Sequence, residues 1–253
     1  MKLLIDIRLF YKRRILELLR NPAFIFMGIS TPILYLTLFS PLLKNFAGAP
    51  GFPSTNIMNM FVPGMLILSA FYNGLFAGWG VIDELRSGVI ERFRVTPCSR
   101  FAILAGTVLR DLVAVVVQNL FFILLALFFG FQFHIGGMLL LFVLFSLVLV
   151  TTSTLANALG LITKSEDKLA PIIQGITLPI TLLSGMLLPM ELAPTWLRTI
   201  AHFNPLYYVV VAARDLSNGH IATADVAVAF FIMIPLTIVT LRWGTSLFRK
   251  AVA

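Results

Sequence analysis

Six long apolar stretches, separated by short segments that carry nearly all the charge, organise the chain: 23–43, 57–80, 101–130, 135–162, 169–189 and 226–243. A hydrocarbon layer of about 30 Å needs about 20 apolar residues at about 1.5 Å each, which every stretch approaches or exceeds. Helices satisfy their backbone internally in lipid, and the ~10-residue alternating segments of a membrane barrel are absent. The pattern predicts six transmembrane helices, the third long enough to begin at or below the interface. Pro32, Pro63, Pro171, Pro179 and Pro235 fall inside these stretches and are expected as tolerated kinks. Gly74 and Gly78, four residues apart, permit a close helix approach, either within the chain or between two copies.

Outside the spans, residues 2–20 plot as a one-sided helix. Lys2, Asp6, Arg13, Glu17 and Arg20 share a strip, and Leu4, Ile7, Tyr11, Ile15 and Leu18 lie opposite, before Asn21-Pro22 ends the run. Such a helix lies in the membrane interface, as an anchor or as a brace for a cytoplasmic partner. Residues 81–97 read as a second amphipathic helix. Val81, Ile82, Leu85, Val89 and Phe93 form its apolar face; Asp83, Glu84, Arg86, Ser87, Glu91 and Arg94 form the other. Gly88 falls mid-helix, a place for a bend or a close approach, and Thr96-Pro97 ends the helix. The interleaved charge signs suit either a mixed protein surface or a solvated connector; three carboxylates argue against phosphate or nucleic acid. Between the last two spans, Ala193-Pro194 and Asn204-Pro205 each read as an N-cap followed by Pro at the first helical position. The second of these helices is expected over 206–216, stopping at Ser217-Asn218-Gly219. With Trp196, Ile200, Phe203, Tyr207 and Tyr208 they form a cap over the outer mouth or an aromatic belt.

Composition agrees with a bilayer protein: 59% of the 253 residues are hydrophobic and 12% charged, against about 25% charged in soluble domains. Mean hydropathy is +0.96. The net charge of +8 would suggest nucleic acid in a soluble protein, but its distribution explains it better. With the N-terminus inside, the inner segments hold 15 Lys/Arg and seven acids, the outer segments three of each, and Arg110-Asp111 sits at the boundary. Both termini are therefore expected in the cytoplasm. Six Lys/Arg and two acids precede the first apolar run, so no cleavable signal peptide is expected.

Chemistry-bearing motifs are few. One cysteine, Cys98, and three scattered histidines, His134, His202 and His220, provide neither a disulfide framework nor metal-ligand spacing. No catalytic constellation can be assembled, and no enzymatic activity or bound cofactor is expected of this chain. Gly160–Ser165 ends like a phosphate loop but lacks the Gly before Lys and the preceding strand, so it reads as a helix end. Ionisable groups deep in the hydrocarbon are not expected. The nearest, Arg110-Asp111, reads as a paired interfacial charge, which weakens the case for a proton- or ion-coupled transporter. Gln118, Asn119, Asn157 and Gln174 in the spans would suit a cavity for an amphipathic or bulky apolar ligand. The alternative reading is a stand-alone secondary transporter or channel for small amphipathic compounds.

Asp83-Glu84-Leu85-Arg86-Ser87-Gly88-Val89-Ile90-Glu91-Arg92 with Val95-Thr96-Pro97-Cys98-Ser99-Arg100, and Leu183-Ser184-Gly185-Met186 with Pro189, Pro194, Trp196-Leu197 and Asn204-Pro205-Leu206-Tyr207-Tyr208, resemble two signatures of type-2 ABC transporter permeases. The branch most similar is that of antibiotic-resistance and nodulation-factor exporters. The family's acid in "DALR" is missing here, where Ala212-Ala213-Arg214 keeps the arginine. The resemblance implies an all-α polytopic protein, with an interfacial helix over 1–22 and a six-span domain over 23–253. It also implies a permease of an ATP-driven exporter in the cell (inner or plasma) membrane, of bacterial origin. Two copies would pair and bind two cytoplasmic ABC ATPase subunits, which would hold ATP and Mg2+. Asp83, Glu84, Arg86, Gly88, Glu91, Arg92, Arg94 and Pro97 would then belong to the coupling helix, with Arg13, Glu17 and Arg20 on the interfacial helix beside it. Pro189, Trp196, Asn204, Pro205 and Tyr207 would belong to re-entrant elements that close the exit, and substrate would pass between the copies along spans two and five.

Overall fold

The computed structural model describes residues 34, 36–38, 57–88, 100–187 and 189–251. Among them the fold is entirely helical: α1 (Ile57–Arg86), α2 (Arg100–Phe128), α3 (Ile135–Thr163), α4 (Glu166–Ser184), a 3-10 turn (Met190–Leu192), α5 (Thr195–Ala201), α6 (Pro205–Ser217) and α7 (Ala224–Ala251). Helices α1, α2, α3 and α7 are long and apolar enough to cross a membrane. Helix α4, at 19 residues, opens on Glu166-Asp167-Lys168 and contains Gln174, Pro171 and Pro179, which makes it shorter and less apolar than these four. The 2–20 helix, with Arg13, Glu17 and Arg20, and nearly all of the first expected span lie outside the described residues.

Short connections make successive long helices antiparallel, so the bundle has two distinct ends. One collects the α1–α2 and α3–α4 connections with Asp83, Arg86, Lys164, Glu166, Asp167 and Lys168; the other collects the α2–α3 connection, α5 and α6. Helix α3 is central: from Thr151 to Thr154 every residue is buried, so this helix is enclosed on all sides. Its neighbour is α1, and glycines decide how close they come. A Cβ on Gly74 would fall 1.9 Å from Thr152 Oγ1, and one on Gly78 would fall 2.6 Å from the Ala156 carbonyl oxygen. A Cβ on Gly160 would likewise meet the Gly78 carbonyl at 2.6 Å. The Gly74/Gly78 pair therefore serves a contact within the chain, where missing side chains let two backbones touch.

Helix α1 does not give way to a separate amphipathic helix at Val81. It runs on unbroken to Arg86, and Gly88, with φ of +68°, follows its end. A left-handed residue accepts the chain reversal that a Cβ would strain. Ser87 secures this end by donating its hydroxyl to the Asp83 carbonyl at 2.8 Å. The expected start of a separate helix at Val81 is thus corrected. Residues 81–86 are the last turns of the long helix α1, and Glu91, Arg92, Arg94 and Pro97 lie outside the described residues. Glu84 is also corrected: it is 7% exposed, because it stands 60° from Val81 around the helix, at the margin of the buried face.

Candidate functional site

Each end of the bundle carries a group of residues singled out from the sequence. At the charged end Asp83 and Arg86 project from the last turns of α1 into solvent. Arg86 pairs with Glu166 in the first turn of α4, both side chains being solvent-accessible. This pair joins the two helices flanking the α1–α2 and α3–α4 connections; its own contribution to stability is small, as for exposed pairs generally. Gly160–Ser165 forms the helix end and turn expected of it, with Lys164 at φ +52° between α3 and α4.

At the opposite end the chain is knotted by hydrogen bonds that a proline makes necessary. Pro63 in α1 has no N–H to give to the carbonyl of Asn59, four residues back. The Ser217 hydroxyl at the end of α6 donates to that carbonyl instead, at 2.8 Å. The Asn59 side chain takes the Gln132 N–H at 2.8 Å and donates to Asn218 Oδ1 at 3.2 Å. Arg214, on α6, reaches across two further elements: Nη2 donates to the Gly185 carbonyl at 2.6 Å and Nε to the Met60 carbonyl at 3.2 Å. Gly185 is the left-handed cap of α4, so the guanidinium sits where helix carbonyls lack partners and the dipole favours a cation. Burial pushes the Arg214 pKa down and the Glu191 carboxylate opposes this; an arginine stays charged regardless. Sequence reasoning matched Arg214 to a motif without a role, because its partners are backbone carbonyls.

The expected gate residues divide between this knot and a loosely held neighbour. Asn204 is the N-cap of α6, its side chain accepting from Leu206 N–H at 3.0 Å and donating to the Ile180 carbonyl of α4 at 2.9 Å. Pro205 takes the first helical position, as the motif predicts, and Gly219 at φ +86° follows the helix end. Tyr207 packs edge-on against His202 and Tyr208, with ring centroids 5.0 and 5.4 Å away, and burial followed by the Glu191 carboxylate pushes its phenol up. Pro189 precedes the 3-10 turn and is buried. Ala193-Pro194 departs from expectation by one residue: Pro194 is itself the N-cap of α5, which has no side-chain cap bond. Trp196 on α5 is 63% exposed and does not join the Asn204–Tyr207 group.

Between the ends, several polar residues of the long helices join one helix to another. Asn119 of α2 donates to the Leu66 carbonyl of α1 at 3.3 Å, and Asn73 donates to Gln118 Oε1 at 3.2 Å. Asp111 of α2 is buried against α3. Arg110 Nε donates to its Oδ1 at 2.9 Å, Ser153 Oγ to its Oδ2 at 3.1 Å, and Asn157 Nδ2 to Ser153 Oγ at 3.3 Å. A buried carboxylate needs such partners. Replacing Ser153 by Ala strands two polar groups and is expected to lower stability by about 1–2 kcal/mol, read as a lower melting temperature in detergent. Among the described residues no group of three metal-ligating side chains exists.

A profile of the ABC-2 type transporter family matches residues 6–217. The putative transport permease ycf38 of Cyanophora paradoxa is 29% identical over 207 residues, 81% of this chain and 71% of that protein. The daunorubicin resistance ABC transporter permease protein DrrB1 of Streptomyces coeruleorubidus is 24% identical over 224 residues, 87% of this chain and 77% of that one. The inner membrane transport permease YadH of Escherichia coli (strain K12) is 25% identical over 193 residues, 72% of each. The match takes in the charged end of α1, the glycine-packed helices α1 and α3, and the capped helix α6 with Arg214, and it leaves out only α7 among the long helices. The chain with these features belongs to the ABC-2 type transporter family, as a membrane permease.

Proposed function

We propose that the chain is the permease subunit of an ATP-driven exporter. It crosses the cell membrane six times with both termini inside, α1 to α4 and α7 serving as spans two to six. The charged end faces the cytoplasm, because that end holds the excess of Lys and Arg. The observation that carries the reading is the exposed mixed-charge end of α1, Asp83 and Arg86 with Glu166 beside it, in a family member that has no phosphate loop. Work supplied by ATP hydrolysis on a separate ABC ATPase enters at this end, and the residues at 87–99 form the rest of its seat. Two permease copies assemble with two ATPase subunits, which hold the ATP and Mg2+. The cargo is amphipathic or hydrophobic, such as a drug, lipid or glycolipid, and moves outward. A relative named for daunorubicin resistance is consistent with that class. Pro189, Trp196, Asn204, Pro205 and Tyr207 form the outer closure. Asp111 gives little support to a stand-alone ion-coupled transporter, since both of its oxygens are already engaged.

The test is co-expression with candidate ABC ATPases, purification of the complex, and substrate-stimulated ATP hydrolysis in lipid. Glu91→Arg, which reverses a charge on the docking segment, is expected to weaken co-purification of the ATPase and to reduce export at least tenfold while the permease still inserts. Unchanged co-purification removes the coupling assignment. Export that persists in proteoliposomes under an ion gradient without ATP removes the ATP-driven reading.

A further inference from the structure

Two oxygens of α3, Thr154 Oγ1 and Asn157 Oδ1, have no hydrogen-bond partner in the protein, and both residues are fully buried. Neighbours set the direction of the amide. Ser153 gives its one hydroxyl hydrogen to Asp111 Oδ2, so towards Asn157 its oxygen can only accept. That turns the Asn157 Nδ2 to Ser153 and the Oδ1 away from it. Hydroxyls elsewhere on these helices return to a carbonyl three or four residues back, as those of Thr152, Thr163, Thr237 and Thr240 do. The Thr154 hydroxyl makes no such bond, which leaves its hydrogen for another acceptor. Residues three apart on a helix carry Cβ atoms about 5–6 Å from each other, a gap that two hydrogen bonds of about 2.8 Å through one small molecule close. Helix α7 borders the same place. Helices α3 and α7 both start at the end that holds α6, and Thr151 Oγ1 lies 2.8 Å from Thr237 Oγ1. Three residues further along the two helices stand Thr154 and Thr240. The Thr240 hydroxyl gives its hydrogen to the Thr237 carbonyl at 3.0 Å and keeps its lone pairs.

We infer that α3 and α7 hold an ordered water molecule here, which accepts from the Thr154 hydroxyl and donates to Asn157 Oδ1 and Thr240 Oγ1. About three hydrogen bonds is the usual coordination of a buried water. An alkali cation would suit the oxygens but not the charge. The Arg110 guanidinium already balances Asp111, and a further positive charge would stand alone among apolar helices. An apolar guest would leave both α3 oxygens unpaired. The water extends the chain Arg110–Asp111–Ser153–Asn157 into α7, so one hydrogen-bonded line joins α2, α3 and α7.

The test uses the full-length chain in lipid nanodiscs. A density map that resolves ordered water is expected to show a peak within hydrogen-bond distance of both Thr154 Oγ1 and Asn157 Oδ1. A map without that peak, or with the Thr154 hydroxyl bonded to the Val150 carbonyl, overturns the inference. Melting temperature supplies a second reading. Thr154→Val and Asn157→Leu are each expected to lower it, and the double variant falls by clearly less than the sum of the two, because both act through one molecule. Thr154→Ser, which keeps the hydroxyl, melts closer to the parent than Thr154→Val. Additive losses overturn the shared water. Replacing sodium by choline at constant ionic strength is expected to leave the parent's melting temperature unchanged. A fall on removing sodium assigns the site to the cation and overturns the water.

Discussion

Replacing Gly78 by leucine is expected to destroy the folded bundle. The first added carbon would meet the Ala156 carbonyl at 2.6 Å and the Ala156 carbonyl carbon at 3.1 Å, and both belong to backbone, which cannot turn aside. Three further carbons have to enter the same gap, so α1 and α3 separate along a seam that also brings Gly160 against Gly78. Overpacking one well-packed site costs about 1–3 kcal/mol, and here the whole helix pair loses contact, so about 4 kcal/mol or more is expected. The measurement is the fraction of monodisperse protein and its melting temperature in detergent. Gly80→Leu, two residues along the same helix with open space at its Cβ, is the matched control and should behave as the parent. Equal stability of the two variants would refute the seam.

Replacing Arg214 by alanine is expected to release the outer cap from the bundle. The Gly185 and Met60 carbonyls lose a charged donor, and the C-terminal end of α4 loses the cation that complements its dipole. Two charge-assisted bonds, discounted for the modest values measured between membrane helices, amount to about 2–4 kcal/mol. Arg214→Lys should recover only part of this, since a single ammonium on a flexible stem cannot hold two carbonyls on different helices at once. Thermal melting of the three proteins in lipid nanodiscs, with protease access to residues 189–203 from the outer side, reads the result. Equal protection of all three would remove Arg214 from the closure.

Most of the helix limits follow from local chemistry. The apolar runs at 101–130 and 135–162 correspond to α2 and α3 within one or two residues. Asn204-Pro205 and Gly219 mark the two ends of α6, because a cap and a left-handed glycine act on their immediate neighbours. Gly88 was readable as a break, but not the continuity of α1 through Val81 up to Arg86. A glycine within an amphipathic pattern is compatible with a bend and a stop alike, and the buried position of Glu84 depends on which helices surround the last turns. The exposure of Asp83 and Arg86 was legible from their charge; the contacts of Arg214 and Asp111 were not, since their partners are carbonyls and a serine distant in sequence.

The sequence by itself determined an all-helical chain with helices long and apolar enough to cross a membrane, the cap and stop of α6, and the resemblance to ABC-2 permeases. These properties reside in length, hydropathy and neighbouring residues, which act without regard to the rest of the fold. Tertiary structure alone decided that Gly74 and Gly78 serve α3, that Ser217 replaces the bond Pro63 cannot make, and that Arg214 binds the last carbonyls of α4. Each of these joins groups brought together only when helices pack, and the energy of such a contact depends on distances that no local pattern encodes.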